Sequence, residues 1–344
     1  MTQASNTLDR FDLSASGENV REMLSDMITN ISPTETPFQS NIARGKATNT
    51  YNEWLQDSLA DADTSNAAID GDEFAGDAQT EPLRMGNYCQ ISTKSIVISR
   101  RAEIVRKAGR KSEIAYQVAK NGRALKRDVE AILLNKQAVT IGNATTAPTL
   151  AGLPSWLRDD NSNGTTDRGA TGADPTLSST TYGYPDAIPT DGTARALSEA
   201  TLLGVIKATY IEGGNPSMIM VGPTVKQRFS NYMFGSSARI ATQYQDQGKS
   251  PSGGVSAVGA VDVYVSDFGT LDIVPNRFQR ERDVFVLDPE YWAVDYLDPY
   301  HVENKAETGD ARKRFLVVDY TLRATQQLSS GIVADIDETA AMTA

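Results

Sequence analysis

Between Lys46 and Arg84 the chain carries no lysine or arginine, and from Asp57 to Glu81 it holds eight acids: Asp57, Asp61, Asp63, Asp70, Asp72, Glu73, Asp77 and Glu81. Two strand-like limbs bound the stretch, an outgoing "TNTYNEWL" and a returning "NYCQISTKSIVIS". In the return, Cys89, Ile91, Thr93, Ser95 and Val97 alternate onto one face, with Ile96 and Ile98 opposite. The middle is Ala, Asp, Ser, Asn and Gly, so residues 46–99 read as a long hairpin with little core of its own. A two-stranded ribbon is marginal in water and has to lie on something. This need constrains the chain more than any other feature.

The charge then reverses. From Lys94 to Arg127 there are Lys94, Arg100, Arg101, Arg106, Lys107, Arg110, Lys111, Lys120, Arg123, Lys126 and Arg127, against only Glu103 and Glu113. Two readings fit: two solvated faces, or one segment lying on the other within a chain or between copies. The net charge of −11 argues against a dedicated nucleic-acid binder, whose footprint is basic.

The remaining chain supplies a framework. A hydrophobic fraction of 40% supports a packed core, and 344 residues suggest two sub-domains or one elongated domain. Residues 1–45 read as an arm, with a helix over 17–30 capped by Ser16 and stopped by "SPTETPF". The clearest element runs over 112–138. Ser112 caps it, and Ile114, Val118, Leu125, Val129, Ile132 and Leu133 recur at helical spacing. Gly122 inside that helix suggests a close packing contact. A loop-rich region over 142–195 is interrupted by "LAGLPSWL", and a second helix follows in "ALSEATLLGVIKATYIEGG". In "NPSMIMVGPTVKQRF", an apolar strand breaks at Gly222-Pro223 and restarts as a helix. Strand candidates "VDVYVSD", "LDIVPN", "DVFVLD" and "YWAVDYLD" come next. Two more strands flank Thr308-Gly309-Asp310, with Leu316, Val318, Tyr320 and Leu322 on one face. The class is α+β with long strands.

No catalytic constellation emerges. His301 is the single histidine, no Gly-x-Ser-x-Gly elbow exists, and a strand-end histidine without partners is the plainer reading. One Cys89 excludes an internal disulfide, fits a cytosolic origin, and with one histidine cannot make the usual zinc set. Gly248-Lys249-Ser250 lacks the leading glycine of a phosphate loop, since Gln243 stands there. In "DDNSNGTTDRGA", Asp159, Asn161, Asn163, Gly164 and Asp167 fit a calcium loop, but its closing glutamate is Ala170. The acids of 57–81 lie on a loop without apolar neighbours and read as solvated. Pro223 has no N–H to offer an anion at the Gly222-Pro223 turn. No stretch is apolar enough to span a membrane, and no signal peptide is visible. The expectation is no catalytic, cofactor-binding or metal residue.

Taken in order, the segments resemble the major capsid proteins of tailed bacteriophages of the Hong Kong 97 type. "NPSMIMVGPTVKQRF" resembles that family's strand–Pro–helix segment in its axial domain, and "VDVYVSDFGTLDIVPNRF" the strand pair after it. "LDPYHVENKAETGDARKRFLVVDYTLRAT" resembles the closing strands of its peripheral domain. "NATTAPTLAGLPSW" sits where the family has a Gly-Ile/Leu motif, and Ile31 to Phe38 matches the arm of one branch.

The resemblance implies an N-terminal arm over 1–45, an extended loop over 46–94 and a peripheral domain of 95–140 with 276–335. It further implies a spine helix at 112–138, an axial domain of 141–275 and a tail of 336–344. It implies copies of the chain in hexamers and pentamers of an icosahedral shell around double-stranded DNA. Such a chain would sit in the virion after assembly in the host cytoplasm. Separate scaffold, portal and decoration proteins are possible partners, and a scaffolding pre-domain is not visible before the arm. An encapsulin-like or related shell or tail protein is the alternative, ahead of a soluble α/β enzyme. In this fold the extended loop lies across a neighbouring subunit near its spine. Asp57, Asp61, Asp70, Asp72, Glu73 and Asp77 are therefore expected to meet Arg100, Arg101, Arg106, Lys107, Arg110 and Lys111 of another copy.

Overall fold

A computed structural model of the chain describes residues 32–59, 62–67, 70–71, 81–107, 109–160, 162–178, 183–235, 261–307 and 309–343. The helix expected over 17–30 lies outside them, as do the Gly248-Lys249-Ser250 segment and Thr308. The first half contains α1 (Pro37–Asn41), β1 (Ala43–Lys46), β2 (Tyr51–Gln56), β3 (Leu83–Tyr88), β4 (Gln90–Ser99), α2 (Arg100–Ile104), α3 (Glu113–Leu133), α4 (Leu153–Trp156) and β5 (Thr166–Asp167). The second half contains α5 (Glu199–Ile211), β6 (Met218–Val221), α6 (Pro223–Gly235), β7 (Val263–Ser266), β8 (Gly269–Pro275), β9 (Val284–Leu287), β10 (Trp292–Asn304), β11 (Ala311–Ala324) and β12 (Gly331–Val333).

A four-stranded sheet in the order β1-β10-β11-β4 carries the long helix α3. Its centre is the β10–β11 hairpin, and Gly309 at its turn takes a positive φ of 75°. The alternating set Leu316, Val318, Tyr320 and Leu322 is buried, and so are Ile96 and Ile98 of β4. Onto that face α3 lays Leu125, Val129 and Leu133. Ser112 caps the helix as its position predicts, accepting a hydrogen bond from the Ala115 amide at 3.2 Å.

A six-stranded sheet, β5-β12-β9-β6-β8-β7, builds the second core. Met218, Ile219, Met220 and Val221 are all buried because β6 is central, parallel to β8 and antiparallel to β9. Pro223 starts α6. Helix α5 packs on this sheet through Leu202, Val205 and Ile206, capped by Ser198.

The structure corrects the sequence reading at four points. The long helix ends at Leu133, not 138. Beyond it the backbone bonds sideways instead, with the Gly152 amide donating to the Gln137 carbonyl at 3.1 Å and Thr140 pairing with Thr149. Gly152 is required there, because a Cβ would stand 2.0 Å from the Asn135 carbonyl oxygen. Second, the hairpin closes through β2 and β3, whereas β4 pairs with β11 from Gln90 onward. Residues 90–94 therefore lie in the four-stranded sheet, with Ile91 and Val97 outward and exposed. Third, β9 and β12 sit in the six-stranded sheet, so a division at 275/276 falls inside that sheet. Fourth, Gly122 makes no close approach: a Cβ there would meet Leu316 at 3.7 Å, an ordinary contact.

Candidate assembly surfaces

The base of the 46–99 excursion is docked, and the described residues of its outer part are exposed. The Gln56 side-chain amide donates to the Ala324 carbonyl at 3.2 Å and to Gln327 at 2.7 Å, and Trp54 packs on Trp156. Asn52 donates to Asp295 at 2.6 Å, while Tyr51, Tyr88 and Tyr184 stack together. On the outward side of β2 and past Gln56 this changes. Leu55 is 65% exposed, Leu83 54% and Leu59 97%. Asp57 and Asp70 are exposed, and Asp63 turns its carboxylate onto the Ser65 hydroxyl and amide, which holds its pKa low. Asp61, Asp72, Glu73 and Asp77 lie outside the described residues.

The basic residues fall into two groups. At the head of the spine, Arg100 pairs with Asp310 at 2.6 Å, Lys107 sits 3.7 Å from Glu103, and Arg110 pairs with Glu113 while lying over the Tyr116 ring. Glu103 locks this knuckle: its carboxylate accepts from the Ser112 hydroxyl at 2.7 Å and from the Glu113 and Ile114 amides. Those bonds at a helix N-terminus, the Ser112 hydroxyl first, hold the Glu103 pKa low. Arg101, Arg106 and Lys111 are exposed and make no ion pair among the described residues. Three of the six expected basic contacts are thus engaged inside the chain, and three are open.

The second group, Lys120, Arg123, Lys126 and Arg127, runs along the shaft of α3. The arm lies beside it. Glu130, fully buried, accepts from the Phe38 amide at 2.8 Å, the Gln39 amide at 3.0 Å and the Asn276 side chain at 2.8 Å. Its carboxylate thus caps α1, and burial without a cation raises its pKa. Gln39 also donates to the Lys126 carbonyl at 3.1 Å. Upstream, Ser32, Pro33 and Thr34 form a groove of about 110 Å³ with Lys120, Arg123 and Arg127. Among the described residues, no ion pair joins the acids of 57–81 to the bases of 94–127.

The other sequence candidates find local roles. His301 lies within β10, its Nδ1 3.0 Å from the Pro299 carbonyl oxygen and its Nε2 3.4 Å from Glu303. In the 159–167 loop, Asp159 accepts from the Asn163 and Gly164 amides, and Asp167 pairs with Arg195 at 2.5 Å. Among the described residues no group of three metal-ligating side chains converges. The Gly222-Pro223 turn does hold an anion after all, one of the chain's own. Glu281 accepts from the Thr224 amide and hydroxyl and the Val225 amide, so a Cβ on Gly222 would stand 2.2 Å from its carboxylate.

The family described as SU10 major capsid protein matches residues 2–337. The chain belongs to that family. It is 28% identical over 332 residues to the major capsid protein of Escherichia phage Phieco32, covering 89% of this chain and 91% of that one. Its fold is similar to the capsid asymmetric unit of cyanophage A-1(L), at TM-score 0.59 and 15% identity over 93% of this chain and 98% of that one. It is also similar to the SrpI encapsulin of Synechococcus elongatus, at TM-score 0.51 and 10% identity over 98% and 99% of the two chains. This phage major capsid protein is a structural component of the virion shell, built from many copies, and not an enzyme.

In this capsid protein, sequence reasoning missed three carboxylates: Glu103, Glu130 and Glu281 each cap a helix of another segment. Their signal is faint, because the partners of Glu130 and Glu281 are remote in sequence and those of Glu103 lie across a turn in the next helix. Glu130 offers only one hint, an acid set among helix residues that bury on either side.

Proposed function

We propose that this capsid protein assembles through hexamers and pentamers into an icosahedral shell that encloses double-stranded DNA, with the division of labour of the Hong Kong 97 type. Residues 1–45 act as arm, 46–89 as extended loop, the four-stranded sheet with α3 as peripheral domain and spine, and the six-stranded sheet as the body of the axial domain. The loop of one copy lies on the spine knuckle of the next. One observation carries this: among the described residues, the loop acids Asp57, Asp63 and Asp70 and the knuckle bases Arg101, Arg106 and Lys111 are exposed, and no ion pair joins loop to knuckle. Exposed Leu55, Leu59 and Leu83 add apolar area that burial against a neighbour would remove from water. The bases that receive the loop are Arg101, Arg106 and Lys111. Scaffold, portal and decoration proteins act as separate partners, and assembly takes place in the host cytoplasm.

The encapsulin-like reading shares the fold; membership of a phage capsid family favours the DNA-filled shell. The test is charge reversal of Asp70, Asp72, Glu73 and Asp77 to Lys, followed by electron microscopy. The expected result is a folded chain that no longer closes shells. Normal shells from that variant refute the loop–knuckle contact.

A further inference from the structure

The shaft of the spine carries a row of positive charge that the loop–knuckle contact leaves unused. Lys120 and Arg123 are exposed, Arg127 is half-buried, and none makes an ion pair among the described residues. They stand at i, i+3 and i+7, so they share one face of α3 and span about 10 Å at 1.5 Å per residue. Their groove is closed on one side by Ser32, Pro33 and Thr34, which is where the described part of the arm begins. The chain just before that point is acidic: residues 1–31 hold Asp9, Asp12, Glu18, Glu22 and Asp26 against Arg10 and Arg21. Three of those acids, Glu18, Glu22 and Asp26, stand at i, i+4 and i+8 in the stretch whose sequence predicts a helix over 17–30. Helical spacing would place them in a stripe about 12 Å long, apart from the stripe of Val20, Met23, Leu24, Met27 and Ile28.

We infer that the groove along Lys120, Arg123 and Arg127 is the docking site for residues 17–30 of the same chain, held by the acidic stripe Glu18, Glu22 and Asp26. The tether decides the occupant. Asp26 is six residues from Ser32, a reach of at most about 20 Å, so its local concentration at the groove is on the order of millimolar. A phosphate backbone or the 57–81 loop of another copy has no such advantage. Docking continues the path that Glu130 begins, in which the arm runs back along the spine from α1. Exposed ion pairs are individually weak and salt-screened, so the contact is releasable.

The test uses the full chain, unassembled and in particles. Zero-length carbodiimide coupling followed by mass spectrometry is expected to join Lys120 to Glu18, Glu22 or Asp26. In a mixture of light and 15N-labelled chains those products remain within one isotope. Coupling of Lys120 only to acids of 57–81, mixed-isotope products, or no coupling at Lys120 overturns the assignment. So does crosslinking of Lys120 to packaged DNA in place of the arm.

A second arm reads release directly. Lys120→Glu/Arg123→Glu/Arg127→Glu should speed chymotrypsin cleavage at Leu24 by about tenfold, and adding Glu18→Lys/Glu22→Lys/Asp26→Lys should restore protection. Equal cleavage of wild type and the triple variant, or failure of the swap to restore it, refutes docking. Shell closure is scored separately by microscopy, so a chain that fails to assemble speaks against the proposed function and leaves the arm contact readable in the unassembled chain.

Discussion

Glu130 is the residue whose loss should be felt most. Its carboxylate is fully buried, takes three N–H donors and faces no cation, so each donor depends on it. Glu130→Ala leaves the Phe38 and Gln39 amides and the Asn276 side chain without an acceptor in a dry interior. At about 1–3 kcal/mol per stranded donor, and with partial relief from the Met220 sulfur 3.4 Å from Asn276, the cost is about 3–5 kcal/mol. Glu130→Gln keeps one acceptor oxygen but turns an amide donor toward another donor, and should cost about 1–3 kcal/mol.

The pH dependence separates these readings. Burial raises the Glu130 pKa above its unfolded value near 4.3, so the folded chain binds this proton more readily. That share of stability is complete below the unfolded value and is lost as pH rises through the folded one. The gap between wild type and Glu130→Gln should therefore widen as pH falls from neutral toward about 4.3. Urea unfolding of the unassembled chain, followed by the fluorescence of Trp54, Trp156 and Trp292, measures the gap, and chymotrypsin cleavage after Phe38 reports release of the arm. A Glu130→Ala variant within about 1 kcal/mol of wild type, or a gap that narrows in acid, refutes the reasoning.

Three further outcomes follow. Gly122→Ala should stabilise the chain by about 0.5–1 kcal/mol in the same urea assay, because the added methyl meets only Leu316 at ordinary distance; destabilisation would place an unseen crowding at that turn. Cys89 is buried beside Asp319 and Asp295, and burial chiefly pushes its thiol pKa up to about 12, so a thiol reagent at pH 8 should label it only after denaturation; fast labelling of the native chain contradicts this. His301 should titrate above the ordinary value near 6.5, first because its ring N–H meets the Pro299 carbonyl and then because of Glu303. Its stabilising share is complete below about 6.5 and is lost as pH rises through the higher folded value, so a nuclear magnetic resonance titration midpoint at or below 6.5 counts against it.

What the sequence made legible was local. The four apolar residues before Gly222-Pro223 announce a central strand, and Ser112 with its periodic followers announces α3. The alternation from Leu316 to Leu322 announces the buried face of β11. What it hid was remote. The end of α3 depends on Gly152, which arrives from a loop to take Gln137 out of the helix. The membership of β9 in one sheet and β10 in the other is decided by partners on β6 and β11, which periodicity does not report. Glu130 reads as one more charged helix residue, because the groups that need it lie 91, 92 and 146 positions away. The charge segregation was visible at once. Its division into engaged and open bases was legible only in part: Lys107–Glu103 and Arg110–Glu113 are local pairs at i,i+4 and i,i+3, whereas Arg100 pairs with Asp310, 210 positions away.

The most direct test of the account is electron cryomicroscopy of purified wild-type particles at side-chain resolution. The account predicts closed shells in which acids of the 57–81 loop lie within about 4 Å of Arg101, Arg106 or Lys111 of a neighbouring copy. Small discrete oligomers, or shells in which the loop folds back on its own chain, would contradict it.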